Sequence, residues 1–211
     1  MGTEFIDLFN EWSDSYDRTV QGKDREYREV FHDYDRILNE VSRRVKGTVL
    51  EFGPGTGNLT LKLLESGCQV KAIEPSVKMI EKAKEKISDF EIYQGDFLHF
   101  PEVNSVNGIV STYAFHHLTD QEKEKALRRY GNILPSGGKL VFADTAFVSD
   151  DHKTYMIQRA EENQYHNLAR DLKTEYYTTL PVLEKLFRNC GFHIFFQQLN
   201  KYVWLMDATK K

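Results

Sequence analysis

A chain of 211 residues with 40% hydrophobic and 28% charged side chains fits one domain that can bury its own core without staples. Its formal charge of −4 and the absence of a Lys/Arg cluster exclude the basic stripe with which a protein grips nucleic acid. Cys68 and Cys190 stand far apart without CxxC spacing, the N-terminus lacks a leader pattern, and no apolar run reaches spanning length. No disulfide framework and no membrane partner are therefore expected, and the expected location is cytoplasmic.

Phe5 to Val45 carries apolar residues at helical spacing, with Phe31, Tyr34, Ile37, Leu38 and Val41 as a stripe, and is expected to be helical up to Lys46-Gly47. Thr48 to Phe52 reads as a short apolar strand, Asn58 to Ser66 as a helix closed by Gly67, and Gln69 to Glu74 as the second strand. Ser76 to Ile87 is an amphipathic helix with a lysine-rich wet face. Strands are expected at Glu91 to Gln94 and Gly108 to Thr112, a helix near Gln121 to Leu134, and a fifth strand from Lys139 to Asp144. Asp150 to Lys173 is polar and mixed, and Leu180 to Asn189 is a helix capped by Cys190-Gly191. Phe192 to Gln198 and Tyr202 to Asp207 are strands joined by Leu199-Asn200-Lys201. That link is too short for a parallel crossover of roughly a dozen residues, so the two pair antiparallel. Strands alternating with helices predict an α/β fold, a doubly wound, mainly parallel sheet with the last strand antiparallel. Ligands of such sheets sit beyond the carboxyl ends of the strands, beside strand one.

That place is occupied by Glu51-Phe52-Gly53-Pro54-Gly55-Thr56-Gly57. Missing side chains at Gly53, Gly55 and Gly57 let a ligand approach backbone amides near the positive end of a helix. A plain tight turn and a dinucleotide site are the alternatives. The fingerprint G-x-G-x-x-G/A would need a small residue at position 58, where the chain has Asn58, which weakens the nicotinamide alternative. Glu74 ends strand two, where a carboxylate can accept both ribose hydroxyls of a nucleoside or stand as a surface acid. Asp96 follows strand three and can accept from an adenine amino group, with Met79 and Phe97 flanking the ring or serving the core.

Val49 to Gly57, Ala72-Ile73-Glu74-Pro75-Ser76, Gly95-Asp96-Phe97, Ile109 to Thr112 and Leu134 to Leu140 together resemble the class I S-adenosylmethionine-dependent methyltransferases. The resemblance covers positions 49 to 144, Tyr16-Asp17 resembles the family's segment that folds over the cofactor, and the whole chain is similar to a small bacterial group whose acceptor is not established. It implies a Rossmann-like fold of seven strands, with an N-terminal helical lid over residues 1–45 on a domain of residues 46–211, and S-adenosylmethionine as cofactor. By position it implies that Glu51 and the Gly53 to Gly57 backbone hold the methionine portion, Glu74 the ribose, and Asp96 with Phe97 the adenine. Ser111 is carried over as a further cofactor contact, and Tyr16 closes the lid. Asn107 departs from the aspartate usual in that family.

No Asn/Asp-Pro-Pro-Tyr/Phe and no Pro-Cys pair follows strand four, which counts against methylation of nucleobases. The loop reads Thr112-Tyr113-Ala114-Phe115-His116-His117-Leu118, without carboxylates, so no metal is expected. Tyr113 and His116 are the candidate catalytic residues, with a structural role for the histidine as the alternative. On a helix His116 and His117 would point about 100° apart, so one of them is expected to be structural; the resemblance implies that the residue before the His-Leu pair faces the acceptor, which places His116 at the pocket and His117 against the scaffold. Tyr155, Tyr165, His166, Tyr176 and Tyr177 lie in an insertion of the kind that covers active sites. The expected function is methyl transfer to a small-molecule acceptor; a non-catalytic sensor of the cofactor or its product, and a nicotinamide-dependent oxidoreductase, are the alternatives.

Overall fold

The computed structural model describes residues 10, 16–103 and 106–211. Seven strands, β1 (Thr48–Phe52), β2 (Gln69–Glu74), β3 (Glu91–Gln94), β4 (Gly108–Thr112), β5 (Lys139–Thr145), β6 (Phe192–Gln198) and β7 (Val203–Lys210), form one sheet in the order β3-β2-β1-β4-β5-β7-β6. The pairs among β1 to β5 are parallel, and β7 enters antiparallel between β5 and β6, as the short Leu199-Asn200-Lys201 link requires. Asn200 makes that link possible: its Oδ1 accepts from the backbone N–H groups of Tyr202 (2.9 Å) and Val203 (2.7 Å).

Strand alternation assigns the two faces. Val49, Val70, Val110, Val141 and Leu205 pack on one core with α1 (Tyr34–Ser42), α2 (Asn58–Glu65), α5 (Asp150–Glu162) and α6 (His166–Thr174). Leu50, Phe52, Ile109, Phe142 and Met206 pack on the other with α4 (Asp120–Ile133) and α7 (Leu180–Asn189). Between β2 and β3 lies α3 (Val77–Lys86), capped by the Ser76 hydroxyl on the Met79 N–H. Because both faces are covered, Val49 through Phe52 are all buried, Glu51 included.

The N-terminal stretch departs from the expected continuous helix. Tyr16 to Lys23 is a short helical run that ends in a π turn, residues 24–33 form turns, and regular helix begins only at Tyr34. Gly22 (φ 76°) and Asp33 (φ 59°) are left-handed and divert the chain, while Tyr27, Val30 and Phe31 still reach the core from the turns. The parts of the expected lid at 1–9 and 11–15 lie outside the described residues. The mixed segment after β5 is α5 and α6, separated at Gln164 (φ 61°), with Ser149 capping α5 through the His152 N–H. No helix among the described residues is long and apolar enough to cross a membrane.

Candidate active site

The carboxyl ends of β1, β2 and β4 open on two adjoining cavities. The first, about 480 Å³, is bordered by the glycine turn, Glu74, Met79 and Phe97; the second, about 680 Å³, lies toward α6. Tyr16, Met79, Tyr113 and His117 border both, so they form the partition.

The turn glycines divide their tasks. All three have positive φ (65°, 55° and 85° at Gly53, Gly55 and Gly57), which other L-residues adopt only with strain. A Cβ on Gly55 would meet nothing nearer than the Tyr16 ring at 4.0 Å, whereas on Gly57 it would stand 2.9 Å from Ile87 Cδ1. Gly55 therefore leaves the first cavity open, while Gly53 permits close approach of Ala114, whose Cβ would stand 2.9 Å from a Cβ there, and Gly57 permits close packing of α2 against α3 and is not part of the wall.

Two buried carboxylates flank this turn. Glu74 accepts the Gly55 N–H at 3.1 Å and the Ser76 N–H at 3.0 Å, one on each oxygen, and borders the first cavity. Burial pushes its pKa up to about 7 against the pull of those two bonds. Glu51 accepts the Thr60 hydroxyl at 2.7 Å on one oxygen, and its other oxygen, Oε1, has no hydrogen-bond partner among the described residues. Burial carries its pKa to about 8 against the Thr60 bond, with the Glu74 charge adding to the rise. Both acids thus answer to any ligand that brings donors or positive charge.

Tyr16 is brought to the partition because Asp17 ties its segment to the turn. Asp17 Oδ1 accepts from the Thr56 hydroxyl at 2.6 Å and from Asn58 Nδ2 at 3.1 Å, and Oδ2 pairs with Lys86 Nζ at 2.9 Å. Asn58, which breaks the dinucleotide fingerprint, therefore has a local task. Tyr113 is left-handed (φ 54°) and packs against Phe31 and Tyr34, at centroid distances of 4.9 and 5.6 Å.

The second cavity is walled by Tyr27, Phe31, Leu168, Leu172 and Tyr177 and carries polar groups from Asp171, Glu175 and the two histidines. His116 Nδ1 faces Asp144 Oδ1 at 2.6 Å, its Nε2 faces Glu175 Oε2 at 3.3 Å, and Tyr177 stacks on its ring at 4.5 Å. Burial lowers the His116 pKa, but the Asp144 charge and bond, with those of Glu175, outweigh it and carry the value to about 10. His116 is an imidazolium clamped between carboxylates. Burial and the charge of His116 hold His117 neutral, at a pKa of about 3. Tyr27 donates a hydrogen bond to Asp171 across 144 residues of chain.

Several sequence expectations change here. Phe115–His117 is a single 3-10 turn, in which both rings sit 4.1 Å apart on the same cavity, so His117 faces the pocket rather than the scaffold. Asp96 accepts the Leu98 and His99 N–H groups at 2.7 and 2.9 Å in a local turn, and Ser111 donates to the Phe52 carbonyl at 2.8 Å; neither borders a cavity. Glu51 also lies behind the wall rather than on it. Of the five aromatic residues singled out in the insertion, only Tyr177 borders the second cavity, whereas Tyr155 is largely exposed. Asp144, Asp171 and Glu175 carried no local motif; only the four-residue spacing of the last two, one helical turn, marks them as neighbours.

A family model described as a methyltransferase domain matches residues 49–138. An uncharacterized methyltransferase of Bacillus mycoides (strain KBAB4) is 52% identical over 212 residues, covering 100% of both chains. One of Bacillus cereus (strain ATCC 14579) is 53% identical, with the same coverage. Among solved structures, the DhpI–SAH complex aligns with a TM-score of 0.70 at 15% identity, covering 97% of this chain and 94% of that one. Human N-acetylserotonin methyltransferase in complex with SAM aligns at 0.68 and 16% identity, covering 98% of this chain and 59% of that one. At such identities these structures establish the fold and no more.

Proposed function

The chain belongs to the methyltransferase family of its full-length relatives, and from that premise we propose that it binds S-adenosylmethionine in the first cavity and methylates a small molecule held in the second. The observation that carries the proposal is the partition: Tyr16, Met79, Tyr113 and His117 border both spaces, so two ligands would meet there. The first cavity suits the cofactor chemically. Each Glu74 oxygen uses one lone pair on a backbone N–H and keeps another for a ribose hydroxyl. Gly55 leaves room beside the backbone, and Phe97 and Met79 offer apolar surface to the base. When bound, S-adenosylmethionine supplies an electrophilic methyl carbon on a sulfonium, already poised to leave.

What remains for the protein is alignment, exclusion of water and, for an acceptor whose attacking atom carries a proton, a base or solvent path to take it. Tyr16, anchored through Asp17, closes the front of both spaces, and Tyr113 sits at the meeting point as the residue proposed to touch the reacting pair. The rings of Tyr27, Phe31 and Tyr177, with Asp171 and Glu175 among them, suit a small acceptor that has an apolar body and a donor or cationic group. His116 is assigned the upkeep of this wall rather than proton removal, because both of its nitrogens already face carboxylates. Two free thiols, Cys68 and Cys190, suit the proposed cytoplasmic location.

Incubation with methyl-labelled S-adenosylmethionine and a metabolite extract tests the proposal: a labelled small product should form with the parent and fall sharply with Glu74→Gln. Cofactor binding without any labelled product would point to a sensor instead. No binding of the cofactor would remove the proposal altogether.

A further inference from the structure

The wall of the second cavity holds a group that alignment of two ligands does not require. His116, His117 and Glu175 are all buried, and each offers one ligand atom such that all three atoms lie within 4.8 Å of one another. The ring of His116 is fixed from behind: Asp144 Oδ1 faces Nδ1 at 2.6 Å while Asp144 Oδ2 accepts the His116 backbone N–H at 2.9 Å, which aims Nε2 at Glu175. A carboxylate behind one imidazole nitrogen, with the other nitrogen turned toward further donors, is the arrangement that orients histidine ligands on metals.

Charge points the same way. Asp171 and Glu175 border this end of the cavity, and Asp144 stands behind it on His116. Lys123, the buried ammonium nearby, donates to the carbonyls of Leu118 and Tyr176 at 2.7 Å each and to Asp120 at 3.1 Å. Carboxylates in excess of cations are costly away from water, and a divalent ion would offset them.

We propose that His116 Nε2, on releasing its proton to solvent, a ring nitrogen of His117 and the Glu175 carboxylate bind a divalent transition ion of the zinc class, with its remaining position open to the second cavity. Two imidazoles and one carboxylate are a three-ligand zinc set that leaves a coordination position free, and the nitrogen donors select against magnesium and calcium. Zinc bonds of about 2.0–2.1 Å in a tetrahedron set neighbouring ligands roughly 3.3 Å apart. The 3.3 Å between His116 Nε2 and Glu175 already meets that spacing, and all three ligand atoms lie within 4.8 Å of one another. The site concerns an ion and is read by metal binding, so it stands or falls separately from methyl transfer.

The test uses the full, tag-free chain after chelation, titrated with Zn²⁺ by calorimetry and with Co²⁺ by visible spectroscopy. One equivalent should bind at micromolar Kd or tighter, with the intense d–d bands of a four- or five-coordinate ion. His117→Ala and Glu175→Gln, the second nearly isosteric, should each weaken binding by about 100-fold or more. Asp144→Asn, behind the site, should weaken it by about 10- to 100-fold. His166→Ala, at an exposed position away from the site, should change nothing. No binding tighter than about 100 μM by the parent, a weak six-coordinate spectrum, or unchanged affinity in His117→Ala and Glu175→Gln would each overturn the proposal.

Discussion

Glu74→Gln probes the cofactor site through a pH dependence that the structure sets. Burial holds the Glu74 pKa near 7, so the ligand-free chain carries this acid mostly protonated at pH 6 and mostly ionised at pH 8. Ribose hydroxyls are donors and need the carboxylate, so the bound state should return the group to its ordinary range near 4.3. Parent affinity should then fall about tenfold between pH 8 and pH 6 from this group alone. The glutamine side chain loses the charge, which at pH 8 should cost about 1.5–3 kcal/mol, or about 10- to 150-fold in Kd. Near pH 6 the gap between parent and variant should shrink by about tenfold, because the parent is itself largely neutral there. Calorimetric titration with S-adenosylhomocysteine at both pH values measures this, and comparison with the variant cancels the contribution from the ligand's amino group. Equal affinity of parent and variant at pH 8, or a gap that does not narrow, would refute a ribose role. Stability gives a second reading with a definite sign. A folded pKa raised from 4.5 to about 7 means stability fully present below about 4.5 and lost as pH rises through 7, an effect of about 3 kcal/mol that Glu74→Gln should flatten.

Gly55→Ala should weaken cofactor binding at least about tenfold with about 1 kcal/mol of backbone strain, whereas Gly57→Ala should mainly destabilise, by about 1–3 kcal/mol, because its Cβ meets Ile87 at 2.9 Å. Denaturant melts paired with calorimetry separate the two, and equal effects would show that the turn acts as one unit. His116→Ala should cost about 3–5 kcal/mol in stability, since it leaves Asp144 and Glu175 buried without their shared cation; urea titration showing a loss below about 1 kcal/mol would contradict the clamp. Tyr16 to Lys23 should gain hydrogen-exchange protection on cofactor binding if the segment acts as a lid, while equal protection with and without cofactor would mark it as fixed scaffold.

Much of the sheet was legible because β1 and β5 are short apolar runs beside glycines, and because three residues between Gln198 and Tyr202 admit no parallel crossover. The glycine turn was legible for the same local reason. Turns from 24 to 33 were not, because Tyr27, Val30 and Phe31 keep helical spacing while the chain is redirected at Gly22 and Asp33. Asp96 and Ser111 sit where a cofactor contact is expected, yet both side chains are engaged with nearby backbone. The acidic groups at the second cavity were hidden, since Asp171 and Glu175, which border it, come from around α6, Asp144, which stands behind it on His116, comes from the end of β5, and the three meet only in three dimensions. His117 was misdirected by an assumption of α-helical geometry that the 3-10 turn replaces.

The central claim is that one cavity holds the cofactor and the other receives its methyl group across the Tyr16, Met79, Tyr113 and His117 partition. A crystal structure of the chain with S-adenosylhomocysteine tests it most directly. The account predicts ribose hydroxyls on Glu74, the adenine between Met79 and Phe97, and the sulfur at the partition facing the second cavity. A sulfur turned away from that cavity, or a ligand seated elsewhere on the chain, would contradict it.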